Sequence, residues 1–559
     1  MQLKRLSPLL AILLLCIATP ALAASSLDVL DRQQRQEPPT PKSLPPMRIQ
    51  EDKGQPVYDK GVRFTLGSLK LEGTTVFPAE EMLAPYAALT GTQAGFAQIE
   101  RIAQELTKKY RDNGYLLSRV VLPAQEVEPL DAHIRLTAVE GFIADIEYAG
   151  DEAFVARFKN YFSAADKRLR ASRPLQHAAF EREMLLLQDL PGVKVSSHFK
   201  EAAVSGGSIL VLEIQRDMAD GSLNWGNTGT DSSGPGLASA SFSLNTLPFI
   251  GSRTTVSYTQ ADTFYEYFSW QIGHSHQFSN GLTMDAAYAQ SKSPDPDSEF
   301  ARAFDYETRS KTFTVGLDYP LIRGRDMNLS LGVGYEHRDS NARLLNARYT
   351  TDRLRNLSAT VNFDVADEWG GVTQVIPTLT QGLGALRATD RDEDSASPMA
   401  PAQFIRANVY LSRNQQLPKN FSLLTAAELQ VSDSPLASYN LFSLGGGQFG
   451  RGYDPGVIEG DNGFGASIEP RWTYQITDTV AVQPFAFWDW GSVWTSRSVD
   501  GARDEENLSS AGFGVRFWGH VGHEILPDFN ISFFVGKPLK KAGGDHTTER
   551  FVVQAALLF

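Results

Sequence analysis

The chain has 559 residues, enough for two to four domains with sizeable cores. A formal net charge of −13 argues against nucleic acid as the main partner. The one cysteine, Cys16, falls in an N-terminal leader, which excludes disulfides and thiolate metal sites from the mature chain, and no later run of roughly 18 apolar residues writes a transmembrane helix.

Residues 1–23 carry Lys4 and Arg5, then an apolar stretch from Leu9 to Ala18, then Ala21-Leu22-Ala23. That is the layout of a secretory signal peptide. Residues 24–62 read as a short helix over Ser26–Gln36 followed by a semi-rigid proline-rich linker, Glu37–Pro46.

Residues 63–140 and 141–217 repeat one mixed pattern. In the first unit "RFTLGSLKLEG" alternates as a strand, and Phe96, Ile99, Ala103, Leu106 and Tyr110 form a helical stripe that stops at Asn113-Gly114. Two further strands follow, the last with Ala132, Ile134, Leu136 and Ala138 on one face. In the second unit "GFIADIEYAG" precedes helices around Ala153–Tyr161 and Leu175–Gln188, and "PGVKVSSHF" and "SILVLEIQR" close it. Two β-α-α-β-β units in tandem predict two small α+β domains.

From residue 218 to 559 the period becomes two. Leu329, Leu331, Val333 and Tyr335 alternate with Asn328, Ser330, Gly332, Gly334 and Glu336; Leu357, Ala359, Val361 and Phe363 do so with Ser358, Thr360 and Asn362. The segments run to about 10 residues or more, the length that crosses a bilayer at a tilt, and number about sixteen, an even count that suits a closed barrel. The last one sets Phe551, Val553, Ala555, Leu557 and Phe559 on one face and ends on an aromatic, the form in which outer-membrane barrels present themselves for insertion. The fold class is therefore an all-β transmembrane barrel preceded by two α+β domains.

Three motifs suggest chemistry and fail on context. "LGGGQFGRGYDPG" has the glycine spacing of a dinucleotide loop, but "RGYDPGVIEGDNGFG" after it cannot start the helix that such a loop needs. "DSSGPG" at Asp231 is better explained as a hairpin turn than as a protease serine. His274 and His276 share a strand face, with no carboxylate or third histidine placed nearby to complete a metal site. No catalytic, cofactor or metal residue emerges, so the expectation is a protein that is not an enzyme.

Two charged residues stand out instead. Asp489 lies between Trp488 and Trp490 in "PFAFWDWGSVW", on the face shared by Phe485, Phe487 and Gly491. A carboxylate facing hydrocarbon is costly, so this face is the lumen. Arg451 sits on the long glycine-rich segment 433–463 between two barrel strands. Folded inward, that loop would bring Arg451 to Asp489 as a charge-assisted partner. Otherwise Arg451 is a solvated loop residue and Asp489 lines a wet channel. The residues alone leave both open.

Arg451-Gly452-Tyr453 before the twelfth strand, Phe485…Asp489…Gly491 on the thirteenth, the two α+β modules and the "GNTGTDSSGPG" opening of the barrel resemble the two-partner secretion transporters (TpsB). These belong to the superfamily of outer-membrane barrels that bear periplasmic POTRA modules. The resemblance spans nearly the whole mature chain. It implies POTRA 1 at 63–140, POTRA 2 at 141–217 and a sixteen-stranded barrel at 218–559 in a Gram-negative outer membrane. It also implies a latch between Arg451 and Asp489, with Gly452, Tyr453, Phe485 and Gly491 as its motif neighbours, and Ser26–Gln36 as a match for the family's plug helix. The family usually has Val before the Arg; Gly450 here should loosen the loop's packing.

The implied partners are an unfolded TpsA-type exoprotein, outer-membrane lipid and, during biogenesis, the barrel assembly machinery and its reading of Phe559; the chain itself is expected to be a monomer. The sheet edge at Val193, Val195 and Phe199 would template an extended substrate by strand addition. The alternative is an insertase of the same superfamily, against which stands the presence of only two modules. A passive porin leaves the modules unexplained.

Overall fold

A computed structural model describes residues 62–230, 234–262, 267–294, 306–345, 347–392, 394–496, 504–520, 528–543 and 548–559. The leader, the Ser26–Gln36 helix and the proline-rich linker lie outside the described residues.

The first module contains β1 (Arg63–Glu72), α1 (Ala79–Leu83), β2 (Gln93–Gly95), α2 (Phe96–Asp112), β3 (Arg119–Val121) and β4 (Ala132–Val139), with sheet order β2-β1-β4-β3. The predicted stripe of α2 is buried against this sheet together with Ile102. The helix ends where Gly114 takes φ 84°, the left-handed backbone that a helix C-terminus favours, with Lys109 and Arg111 in its last turn near the negative end of the dipole. The short α1 has no period long enough to read in the sequence.

The second module runs β5 (Phe142–Gly150), α3 (Glu152–Ala171), α4 (His177–Gln188), β6 (Val193–Glu201) and β7 (Gly207–Arg216), with sheet order β5-β7-β6. Asp151 caps α3 by accepting the Phe154 N–H at 2.8 Å. Phe158, Phe162, Phe180, Met184 and Leu187 fill the core. The residues named for docking lie on the edge strand β6, and the side chains of Val193, Val195 and Phe199 point into this core. On β6 it is Lys194, Ser196 and Lys200 whose side chains face solvent, beside the edge backbone.

The barrel closes with sixteen antiparallel strands, from Ala219–Gly226 to Arg550–Leu558, the twelfth broken into Asn462–Trp472 and Tyr474–Gln475. Alternation sorts the two faces. Leu331 and Val333 stand 45% and 53% exposed on the outside, while Arg338 on the same strand is 1% exposed within. Phe421, Trp472 and Tyr474 stack along the outer surface, with ring centroids 6.2 and 5.8 Å apart, as an interfacial aromatic belt does. His274 and His276 also face outward, bonded to Thr254 and Ser252, and among the described residues no group of three metal-ligating side chains forms.

First and last strands pair from Ser222 with Leu558 to Gly226 with Gln554. Gly221 and Phe559 exchange backbone bonds of 2.8 and 3.0 Å below that stretch. Above it, the Asn227 amide donates to the Phe551 carbonyl and accepts from the Val553 N–H, both at 2.7 Å. Phe551, Leu557 and Phe559 project from the outer face.

The second module is seated on the barrel's turns. Arg323 donates to both oxygens of Asp189 at 2.7 and 2.8 Å, Arg182 to the Pro320 carbonyl at 2.9 Å, and Tyr161 to the Gln277 carbonyl at 2.8 Å. Ile250, from the turn after the second barrel strand, completes the module's hydrophobic core.

Candidate functional site

The segment joining the eleventh strand (Phe421–Ser432) to the twelfth enters the barrel instead of standing outside it. Its short hairpin, Phe442–Leu444 with Ile458–Gly460, packs with Phe449, Tyr453, Val493 and Leu508 in one apolar cluster. This drives the loop inward: apolar side chains of loop and wall leave water together. Arg451 is carried at the tip.

Arg451 is 2% exposed and Asp489 is fully buried. The guanidinium grips the carboxylate with both prongs, Nε to Oδ2 at 2.9 Å and Nη2 to Oδ1 at 2.8 Å. The Arg451 backbone N–H adds a bond of 3.0 Å to Oδ2, and the Ser467 hydroxyl donates to Oδ1 at 2.7 Å. Register explains the convergence: Ser467, Asp489 and Ser510 sit directly opposite one another on strands twelve, thirteen and fourteen. The Ser510 hydroxyl in turn accepts the Gly452 N–H at 3.2 Å.

Sequence reasoning misses a second carboxylate. Glu469, fully buried, accepts from Arg451 Nη1, from Arg471 at 2.7 Å and from Arg516 at 2.8 Å. Two carboxylates are thus shared by three guanidiniums. Desolvating such ions costs several kcal/mol apiece, and only a set of reciprocal, charge-assisted bonds offsets that. The signal was present: Ser467, Glu469 and Arg471 alternate with Ile468 and Pro470 on a strand whose other face meets lipid.

The strand motif supports the arginines from beneath. Arg451 lies over the Phe487 ring at 3.8 Å and Arg516 over Phe485 at 3.9 Å, both cation–π contacts. Each ring lies flat because the neighbouring strand has glycine opposite it, Gly512 for Phe487 and Gly514 for Phe485. Gly491 makes room in the same way for Leu444 of the loop, whose side chain would lie 2.6 Å from an added Cβ. Tyr453 is 1% exposed, its hydroxyl donating to the Lys540 carbonyl at 2.7 Å with the Ser509 carbonyl at 2.9 Å.

The looser packing expected of Gly450 is not found. Its φ is 92°, its N–H donates to Asp489 at 3.3 Å, and an added Cβ would meet the Gly445 backbone at 3.1 Å. Valine is strained at that φ, so glycine fits this tip and valine does not.

Two family models match the chain. "Haemolysin secretion/activation protein ShlB/FhaC/HecB" covers residues 206–517, and "POTRA domain, ShlB-type" covers 64–141. The haem/hemopexin transporter protein HuxB of Haemophilus influenzae is 23% identical over 86% of this chain and 85% of its own length. The outer membrane transporter CdiB of Dickeya dadantii is 22% identical over 74% and 73%. Among solved structures, CdiB from Escherichia coli superposes with a TM-score of 0.69 at 21% identity, covering 97% of this chain and 98% of that one. A sixteen-stranded barrel, a POTRA domain and a family model over more than half the chain lead to one conclusion: this protein belongs to the haemolysin secretion/activation family ShlB/FhaC/HecB, outer-membrane transporters of two-partner secretion.

Proposed function

We propose that this chain recognises one unfolded exoprotein at its POTRA modules in the periplasm and passes it through the barrel, with the Arg451–Asp489 latch holding loop 433–461 in the resting lumen. The observation that carries the reading is the loop itself: its arginine tip is buried inside the barrel on Asp489 and Glu469. A static channel gains nothing from burying a charged loop in its own path. A transporter for a large, occasional cargo needs its lumen closed between passages.

The modules lie at the end of the barrel where strand one begins, and the second is bonded to the turns there. We place that end in the periplasm. Docking then uses the exposed backbone edge of β6, with Lys194, Ser196 and Lys200 beside it for charge and hydrogen-bond matching. Val193, Val195 and Phe199 hold that edge in shape from the core side. Phe559 on the outer surface is suited to reading by the barrel assembly machinery, and the closed barrel with a single seam suits a monomer. The mechanism has no catalytic step: movement is biased by folding of the cargo on the far side.

The test is photo-crosslinking in cells. A crosslinking residue at Lys194 or Ser196 is expected to trap a large exoprotein in the periplasm, and one at a lumenal position such as Thr314 to trap the same protein during export. Crosslinks to many different outer-membrane barrels, with no exoprotein among them, would overturn the reading.

A further inference from the structure

The loop has a second, separate point of attachment. Before it reaches the arginine tip, residues 436–440 turn through Ser438–Asn440 and bond to strands seven, eight, ten and eleven. Tyr439 lies under the guanidinium of Arg338, whose Cζ is 3.7 Å from the ring centroid, and its hydroxyl donates to Glu336 Oε2 at 3.2 Å. Arg338 is 1% exposed.

Asn440 is gripped beside it. Its carbonyl accepts from Arg406 at 2.9 Å and from Gln430 at 3.0 Å, and its side-chain oxygen accepts from Asn356 at 3.3 Å. Asn356 also donates to Glu336 at 3.0 Å, which ties the two contacts into one set. Asp461, at the far end of the loop, bonds the Leu436 N–H at 2.7 Å and so pins the two limbs together.

We infer that loop 433–461 is a strap held across the lumen by two anchors, the arginine tip and a clasp at Tyr439–Asn440, and that clearing a path for an exported chain needs both released. Tyr439 is a positioning residue in this scheme. The tip is bonded to strands twelve to fourteen and the clasp to strands seven, eight, ten and eleven, so releasing one leaves the loop tethered to the other. A cavity lined by Asp285, Thr314, Gly316 and Gly334 opens beside the clasp, with Tyr439 and Asn440 on its wall. The need for release during export rests on the transport reading above; the two-anchor closure does not.

Conductance of the purified full-length protein in planar bilayers tests the closure without any cargo. Arg451→Ala and Tyr439→Ala are each expected to raise conductance modestly. The double variant should raise it several-fold beyond the sum of the two, because the anchors act in series. Tyr439→Phe keeps the ring under Arg338 and should restore near wild-type conductance. Additive conductance in the double variant, or a Tyr439→Ala trace identical to wild type in both backgrounds, would sink the proposal. Should Tyr439→Ala fail to insert, a cysteine pair carries the test, since Cys16 is the chain's one native cysteine. Oxidised Asn356→Cys with Asn440→Cys should stop export and keep conductance at its resting level, and reductant should restore export. Export at full rate with the pair oxidised contradicts the need for release.

Discussion

Two arginine–aspartate forks hold this molecule's parts together, and they differ in kind. Arg451 with Asp489 joins a loop to the barrel wall, and Arg323 with Asp189 joins a POTRA module to the barrel rim. The side chains of the first are 3% and 0% exposed, those of the second 14% and 24%. The lumenal fork shares its atoms with Ser467 and Glu469, and Glu469 is bonded in turn to Arg471 and Arg516, so Arg451 or Asp489 cannot leave without stranding a buried charge. The rim fork is one of several independent contacts, beside Arg182 on Pro320 and Tyr161 on Gln277. A buried network of this sort is an all-or-none device, whereas the rim joint is a sum of parts.

Arg451→Ala breaks the comparison hardest. It leaves two buried carboxylates short of a partner, a cost of about 3–5 kcal/mol, and should free the tip and impair secretion while the barrel stays inserted and heat-modifiable on gels. Wild-type secretion by that variant would remove the latch. Glu469→Ala comes next, because without it Arg451 keeps its fork on Asp489 and Arg516 keeps Gln483. An expected loss of about 2–3 kcal/mol in loop docking should appear as faster hydrogen exchange over 444–453. Protection unchanged from wild type there would show that the network is not shared.

Asp189→Ala tests the rim and should cost only about 1–2 kcal/mol, since Arg323 keeps Asn328 and solvent. The module would remain attached, with faster exchange confined to the end of α4 and the turn at residues 324–326. Detachment of the whole module would mean that the joint is as cooperative as the latch. Smallest is Asp112→Ala, which removes an exposed i,i+4 pair with Lys108 at 2.5 Å and should change stability by about 0.3–0.5 kcal/mol, with secretion untouched.

The barrel and the two modules were legible because their periods are long: ten-residue alternation and a stripe repeating every three or four positions leave traces in any sequence. Arg451 and Asp489 were legible as a pair because a carboxylate between two tryptophans has to face the lumen. Their union was not, since nothing local says whether a glycine-rich loop folds in or out. Glu469 escaped because "SIEPRW" sets its acid two residues from a basic residue, which reads as a solvated face until the register places Ser467 opposite Asp489. Tyr439 escaped for a different reason: Glu336, Arg338, Asn356 and Arg406 come from three strands far from it in sequence. Gly450 inverts the expectation, because a missing side chain reads as looseness where the backbone needs φ 92°.

Comparing the culture-supernatant and outer-membrane proteomes with and without the gene decides whether this barrel exports one protein. Loss of a single large exoprotein from the supernatant, with the membrane profile unchanged, is the expected result. A broad loss of other barrels from the outer membrane, with the supernatant otherwise intact, would contradict it and make the protein an insertase.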